Sequence, residues 1–275
     1  MNAFKATTLR RFAALAVILN GLFPVVWILL TSLKTEAELS QTPITWLPQA
    51  PTLANYVRAF HDQPLALYLF NSVAVASITT ILTLLIATLA AYALGRVQFA
   101  WRDAALAAII AISTFPLVTL LVPLFQTMRA LNLLNTYPAL VLPYTVLSLP
   151  VCTLVLISFF QTIPIDLENA AMIDGCSRVG ALFRIVVPLS APGVFTAGLL
   201  AFVNSWDEFL LALSFNSAAH MRTLPVGITL YQGEFTFPWP VISAALIVGI
   251  VPVVTLIIVF QQRVIAGLTA GGVKG

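Results

Sequence analysis

The stretch ALNLLNTYPALVLPYTVLSLPVCTLVLISFFQTIPI, residues 130–165, runs from Arg129 to Asp166 without a single charged side chain. Crossing a hydrocarbon core takes about 20 apolar residues of helix, so this run reads as a membrane span with its flanks. Working outward, five more charge-free intervals appear at 12–33, 63–95, 104–128, 185–206 and 235–262, each rich in Leu, Ile, Val, Ala and Phe. The interval 39–57 is different: Pro43, Pro48 and Pro51 among Gln, Thr and Ser mark an external loop. The pattern predicts an all-α integral membrane protein with six transmembrane helices, near 12–33, 70–94, 104–128, 138–160, 190–214 and 240–262. Residues 1–275 then form a single transmembrane domain, with a cytoplasmic loop at 161–189 and a C-terminal tail at 263–275.

Composition agrees. Of 275 residues 60% are hydrophobic and 8% charged, against roughly 25% charged in an average globular chain. So few charges cannot cover a water-facing surface, which excludes a soluble enzyme, a disordered tail and a disulfide-stapled secreted module. With the N-terminus inside, Lys5, Arg10, Arg11, Arg96, Arg102, Arg178, Arg184, Arg263 and Lys274 are cytoplasmic, while only Lys34, Arg58, Arg129 and Arg222 lie outside. This bias predicts that both termini are cytoplasmic. The apolar run 12–33 is longer than a signal-peptide core and no clean small-residue cleavage site follows, so the first helix reads as uncleaved.

The net charge of +3 does not point to nucleic acid, because the basic residues are dispersed and biased to one side of the membrane. Cys152 lies in the fourth span and Cys176 in a cytoplasmic loop, where thiols stay reduced. His61 and His220 are isolated in external loops and read as solvated, and no metal-ligand cluster is present. Ser113, Thr114, Thr119 and Ser148 have no acidic or histidine neighbour in sequence, so no catalytic constellation stands out and helix-bonded hydroxyls are the plain reading. No phosphate-binding G-x-x-x-x-G-K-[ST] loop occurs; any ATP is bound by another subunit.

The loop 161–189 is the one dense cluster of charge. It reads as two short helices with a break. Pro164 suits a helix start and Asp166 its negative first turn. Leu167, Ala170, Ala171 and Asp174 fall on one face, with Glu168 and Met172 beside it. Gly175 can end the helix in the left-handed conformation, Ser177 can cap the next one, and Pro188 closes that second helix before the fifth span. Two alanines on the leading face allow close approach by another protein. The helix lacks the Lys/Arg-rich polar face of one that lies on a bilayer.

Glu168-Asn-Ala170-Ala171, then Asp174-Gly175, Ile185 and Pro188, resembles the EAA loop of binding-protein-dependent ABC transporter permeases. Pro123-Leu-Phe, Leu133-Leu-Asn135-Thr136-Tyr137 and Leu142-Pro143-Tyr144 before it, and Asn204-Ser-Trp206-Asp207-Glu208-Phe209 and the tail 267–275 after it, are similar to the maltose-type carbohydrate permeases. The resemblance implies a type I ABC importer permease in a bacterial inner membrane. Its implied partners are a second homologous permease, an ATPase dimer that binds ATP and Mg, and an extracytoplasmic sugar-binding protein; this chain itself carries no cofactor. It further implies that a helix over 166–174 docks on the ATPase, with Glu168 pairing a basic group there, Ala170 and Ala171 allowing close approach, Asp174 adjoining them and Gly175 setting the turn. In that family the tail enters the ATPase interface, which implies contacts for Gly271, Gly272 and Lys274. Cys176 departs from the usual Ala or Ser, and a small residue still fits.

Ionisable groups within a span are costly and usually functional. Asp207 lies about 25 Å along a fifth helix that starts inside near residue 190, at a rise of 1.5 Å per residue. Asn204, Trp206, Asp207 and Glu208 are therefore candidates for the external gate or pathway. Trp206 also suits an interfacial aromatic belt. Pro116, Pro123 and Pro143 within spans permit bends, and packing alone explains them equally well. A secondary transporter and a polytopic membrane enzyme are the alternative classes. The internal repeats or midplane acidic pairs of the first, and the polar cluster of the second, are not visible.

Overall fold

The computed structural model describes the backbone of residues 2–233 and 236–272 and the side chains of 11–233 and 236–261. The described residues form helices and loops, with no strand among them. In chain order the helices are α1 (Asn2–Ser32), α2 (Glu36–Leu39), α3 (Ala54–Asp62), α4 (Leu65–Arg96), α5 (Arg102–Ser113), α6 (Leu117–Ala130), α7 (Tyr137–Phe160), α8 (Ile165–Ile173) and α9 (Arg178–Ala181). A π-helical turn, Leu182–Val186, leads into α10 (Val187–Leu189), followed by α11 (Ala191–Trp206), α12 (Leu210–Phe215), α13 (Leu224–Thr229) and α14 (Trp239–Gly272).

The helices α1, α4, α7 and α14 are each long and apolar enough to cross a membrane, and two bent pairs bring the number to six if each counts as one span. The expected straight span at 104–128 is one of those pairs, α5 and α6, which meet at 96°. The cause is local. The Thr114 N–H donates to Ala111 and Ile112 carbonyls, and Pro116, which has no N–H, takes an extended conformation as the N-cap of α6. Pro123 and Pro143, by contrast, sit inside continuous helix. The run Arg178–Leu189 meets α11 at 85°, at Ser190. Pro188 lies one residue before the end of that run. The expected fifth span, 190–214, breaks at 207–209. The last helix continues through the expected tail to Gly272; Lys274 lies outside the described residues.

The chain divides into two units. One takes in residues up to Leu67 together with Gly227–Val251. Its α1 exposes Phe12, Val17, Leu19 and Phe23, as a helix clothed by lipid does. The loop after it folds around a buried polar cluster. Lys34 is 1% exposed; its ammonium donates to the Thr45 carbonyl and lies 5.2 Å from the centre of the Trp27 ring. Asn55 donates to the carbonyls of Ser32 and Lys34, both at 2.8 Å. Glu38 accepts from Thr45 Oγ1 at 2.8 Å and from the Gln49 N–H at 3.0 Å. Burial pushes the Glu38 carboxyl upward, but the Gln49 N–H, the Thr45 hydroxyl and the Lys34 charge outweigh it and hold the group below its usual range.

The other unit comprises Tyr68–Val226 and the chain from Pro252. Ala87 and Ala91 of α4, Leu156 and Phe160 of α7, and Ala197 and Ala201 of α11 form one buried cluster; Val75, Leu140, Tyr144, Leu211 and Phe215 belong to a second. Small residues bring α11 and α7 together. A Cβ on Gly193 would stand 2.2 Å from Cγ and 2.7 Å from Cβ of Phe159.

Candidate functional site

The loop 161–189 has the break that its sequence predicts. Pro164 is the N-cap of α8, and Asp166 and Glu168 occupy its first turn. At the other end the Cys176 N–H donates to the Ala171 carbonyl at 2.9 Å and the Gly175 N–H to Met172 at 3.1 Å, with Gly175 at φ +88°. Those two bonds make a Schellman motif. Ser177 then caps α9, its hydroxyl accepting from the Gly180 N–H at 3.1 Å. Leu167, Ala170, Ile173, Asp174 and Gly175 are exposed, Ile173 at 85%, and Ala171 is half-buried. A small helix with apolar side chains bared beside its C-cap is a surface suited to a protein partner.

Glu168 faces the other way. It is 3% exposed. Its Oε1 lies 3.0 Å from Arg96 Nε and its Oε2 accepts from the Tyr92 hydroxyl at 2.9 Å. Arg96 also donates from Nη2 to the Ile163 carbonyl at 2.5 Å. In the chain by itself, therefore, Glu168 is ion-paired internally, with Arg96. A buried carboxylate needs a cation and hydrogen bonds to compensate its lost hydration, and α4 supplies both. Sequence reasoning took Arg96 as a topology marker and passed over Tyr92. The available signal was an aromatic and an arginine one turn apart at the end of a span.

The four gate candidates separate into two pairs. Asn204 and Glu208, one turn apart, line a cavity of about 240 Å³ with Leu117, Tyr144, Leu147, Ser148 and Ser205. Trp206 is buried and stacks on Phe202 with ring centres 5.8 Å apart, and Asp207 is exposed outside that lining. Glu208 also organises the chain break. Its carboxylate accepts from the N–H groups of Leu211 (2.8 Å) and Ala212 (3.1 Å) at the start of α12, and from the Tyr144 hydroxyl at 2.5 Å. The cavity thus presents an amide, two serine hydroxyls, a tyrosine and the Glu208 carboxylate on a wall completed by Leu117 and Leu147. That lining can exchange hydrogen bonds with a polyhydroxylated solute. Among the described residues no group of three His, Cys, Asp or Glu side chains is placed to hold a metal ion.

The family described as "Binding-protein-dependent transport system inner membrane component" matches residues 83–268. The chain is 71% identical to the sulfoquinovosyl glycerol transport system permease protein SmoH of Agrobacterium fabrum, over 99% of this chain and 95% of that one. It is 39% identical to the trehalose/maltose transport system permease protein MalG of Thermococcus litoralis, over 92% of each. A chain in the crystal structure of a bacterial ABC transporter involved in import of the acidic polysaccharide alginate shares the fold. It has a TM-score of 0.81 and 20% identity, with 95% of this chain and 98% of that one covered. The chain belongs to the family of inner-membrane components of binding-protein-dependent transport systems.

Proposed function

We propose that this chain is one of two homologous permease subunits of an ATP-driven carbohydrate importer in a bacterial inner membrane. The carrying observation is α8: a nine-residue helix that starts at Pro164 and is capped at its C-terminal end, with apolar residues bared on one side and a buried anchor on the other. Its partner is a cytoplasmic ATPase dimer that holds ATP and Mg, and an extracytoplasmic binding protein delivers the solute. This chain transports and carries no nucleotide site of its own. In this reading the spans are α1, α4, the bent pair α5–α6, α7, α11 and α14, with both termini cytoplasmic, in one transmembrane domain. Ala170, Ala171, Asp174 and Gly175 meet the ATPase, and Gly271, Gly272 and Lys274 reach it from the C-terminal end. The cavity at Asn204 and Glu208 lies on the solute pathway, and access alternates as closure of the ATPase moves α8.

The names of the relatives support a sugar or sugar glycoside as cargo, and the first to test is sulfoquinovosyl glycerol, against maltose and trehalose. The test is reconstitution with the neighbouring permease, ATPase and binding protein in vesicles. Loaded binding protein is expected to stimulate ATP hydrolysis and uptake. Absence of stimulation with every one of these ligands overturns the reading. The orientation is checked by labelling Cys176 with a membrane-impermeant maleimide, which must require access from the ATPase side.

A further inference from the structure

The helix α4 differs from the other three helices long enough to span alone. Those three carry interior prolines, Pro24 in α1, Pro143 and Pro150 in α7 and Pro252 in α14, whereas α4 has none between Leu65 and Arg96. Each interior proline removes one i→i−4 bond and allows a bend, so α4 is the one long helix with an uninterrupted ladder. Both of its ends are tied by buried side chains. At the C-terminal end Tyr92 and Arg96 hold Glu168 and Ile163, as described above. Towards the other end Asn71 is wholly buried, donates to the carbonyls of His220 (3.0 Å) and Arg222 (2.8 Å), and accepts from the Tyr137 hydroxyl (2.8 Å). Beside it Ser72 accepts from the Leu224 N–H at 2.8 Å. Asn71 and Tyr92 are separated by about 32 Å along the helix at 1.5 Å per residue, roughly the thickness of a bilayer core.

We infer that α4 is the transmission strut of the permease. In this scheme Glu168, Tyr92 and Arg96 clamp it to α8, and Asn71 and Ser72 clamp it to the segment 216–224 across the membrane. A displacement of α8 by a cytoplasmic partner then moves the far segment as one body. The physical warrant is a rigid element fixed at both ends by hydrogen-bonded polar groups, which cannot slip without leaving a buried charge or amide unpaired. These residues act as positioning residues; none of them needs to touch solute or ATP.

The inference rests on the importer reading, and the wild-type complex separates the two. Stimulated hydrolysis and uptake in wild type establish the importer whatever the variants do. Hydrogen exchange of 216–224 is compared with and without a non-hydrolysable ATP analogue in wild type, Glu168→Gln, Tyr92→Phe, Asn71→Ala and the swap Glu168→Arg/Arg96→Glu. The strut predicts an ATP-dependent change at 216–224 in wild type, lost in Glu168→Gln and Asn71→Ala, halved or less in Tyr92→Phe, and at most partly recovered in the swap, which restores the ion pair but not the Tyr92 and Ile163 hydrogen bonds. Solute carried per ATP should fall about fivefold or more in the first two, the low end of measured coupling between sites. Should Glu168→Gln not assemble, Tyr92→Phe and Asn71→Ala decide. An unchanged ATP response at 216–224 in Asn71→Ala, with solute per ATP within twofold of wild type, overturns the inference.

Discussion

Gly193→Ala is the smallest change that tests how α7 and α11 are held. The added carbon would lie 2.2 Å from Cγ and 2.5 Å from Cδ2 of Phe159, and 2.7 Å from its Cβ. Carbon contacts are comfortable at roughly 3.5–4.0 Å, so the methyl intrudes by about 1.3 Å on the ring. Rotation about χ1 moves Cγ and the ring but leaves Cβ where it is. The helices themselves must therefore part. Overpacking of this kind costs about 1–3 kcal/mol. Replacing glycine within a helix returns up to about 1 kcal/mol, and less in the first turn where Gly193 lies, so the net loss expected is about 0–2 kcal/mol, toward the upper end because Cβ of Phe159 cannot swing aside. Gly21→Ala is the control, because a Cβ there meets no atom within 4 Å and only the helix gain remains. The assay is thermal melting of the assembled transporter in detergent, with Phe159→Ala and the double variant completing a cycle. Gly193→Ala should melt below wild type and Gly21→Ala at or above it, and the double variant should lose less than the sum of its parts. If Gly193→Ala melts with Gly21→Ala, the two helices are not in close contact at this point and the argument fails.

Gly175→Val should cost about 1–2 kcal/mol of strain at φ +88°, with Gly175→Asn milder. A Cβ there meets nothing, so the loss is backbone strain alone: the melting temperature and binding-protein-stimulated hydrolysis should both fall in Gly175→Val and fall less in Gly175→Asn, and a Gly175→Val protein that melts with wild type would refute the strain. The Glu38 carboxyl sits below its usual 4.5, so its contribution to the loop 35–50 is full above that pH and is lost as pH falls through the lowered value. The Trp46 ring packs edge-on against Trp27, with centres 5.6 Å apart, so a variant retaining only that tryptophan pair should change fluorescence on acidification. Glu38→Gln should abolish the transition, and an unaltered acid transition in that variant would refute the assignment. In the folded permease stripped of its ATPase a maleimide should modify half-buried Cys176 and spare buried Cys152; mass spectrometry finding the reverse would contradict the placement of α7 and of the turn between α8 and α9.

What was legible in the sequence is what acts over a few residues. Pro164, Gly175 and Ser177 work by the conformations and caps that proline, glycine and serine impose on adjacent peptides, and all three stand where that chemistry requires. The apolar runs located four long helices, but α1 begins at Asn2, α4 at Leu65 and α14 runs on to Gly272, well beyond the apolar runs at 12–33, 70–94 and 240–262. The sharp bend at 114–116 was half-readable: Pro116 was recognised as able to break a helix, but its packing decides whether it does, since Pro123 and Pro143 sit within unbroken helix. Glu208 illustrates a misplaced frame. Its bonds to the amides three and four residues later are a local capping pattern. Reading 190–214 as one continuous span left no helix start for it to cap.

Glu168 shows the opposite limit. No local rule distinguishes a carboxylate that points at a partner from one that turns inward, because its counter-charge lies at Arg96, 72 residues earlier in the chain. Helical spacing alone set Glu168 beside the exposed face of α8, and only the tertiary placement of the end of α4 decides that it is covered. That outcome suits the coupling role proposed for α8. A surface that merely docks can be bonded on one side, but a surface that carries force must be fixed to its own scaffold at least as firmly as to its partner. In α8 the bared Leu167, Ala170 and Ile173 are free to be covered and uncovered at modest expense, whereas Glu168 cannot leave Arg96 and Tyr92 without stranding a buried charge, a loss of about 3–5 kcal/mol. If α8 docks on the ATPase as proposed, and those apolar side chains alone hold the contact, a pull on α8 should strain that contact before it detaches the helix from α4.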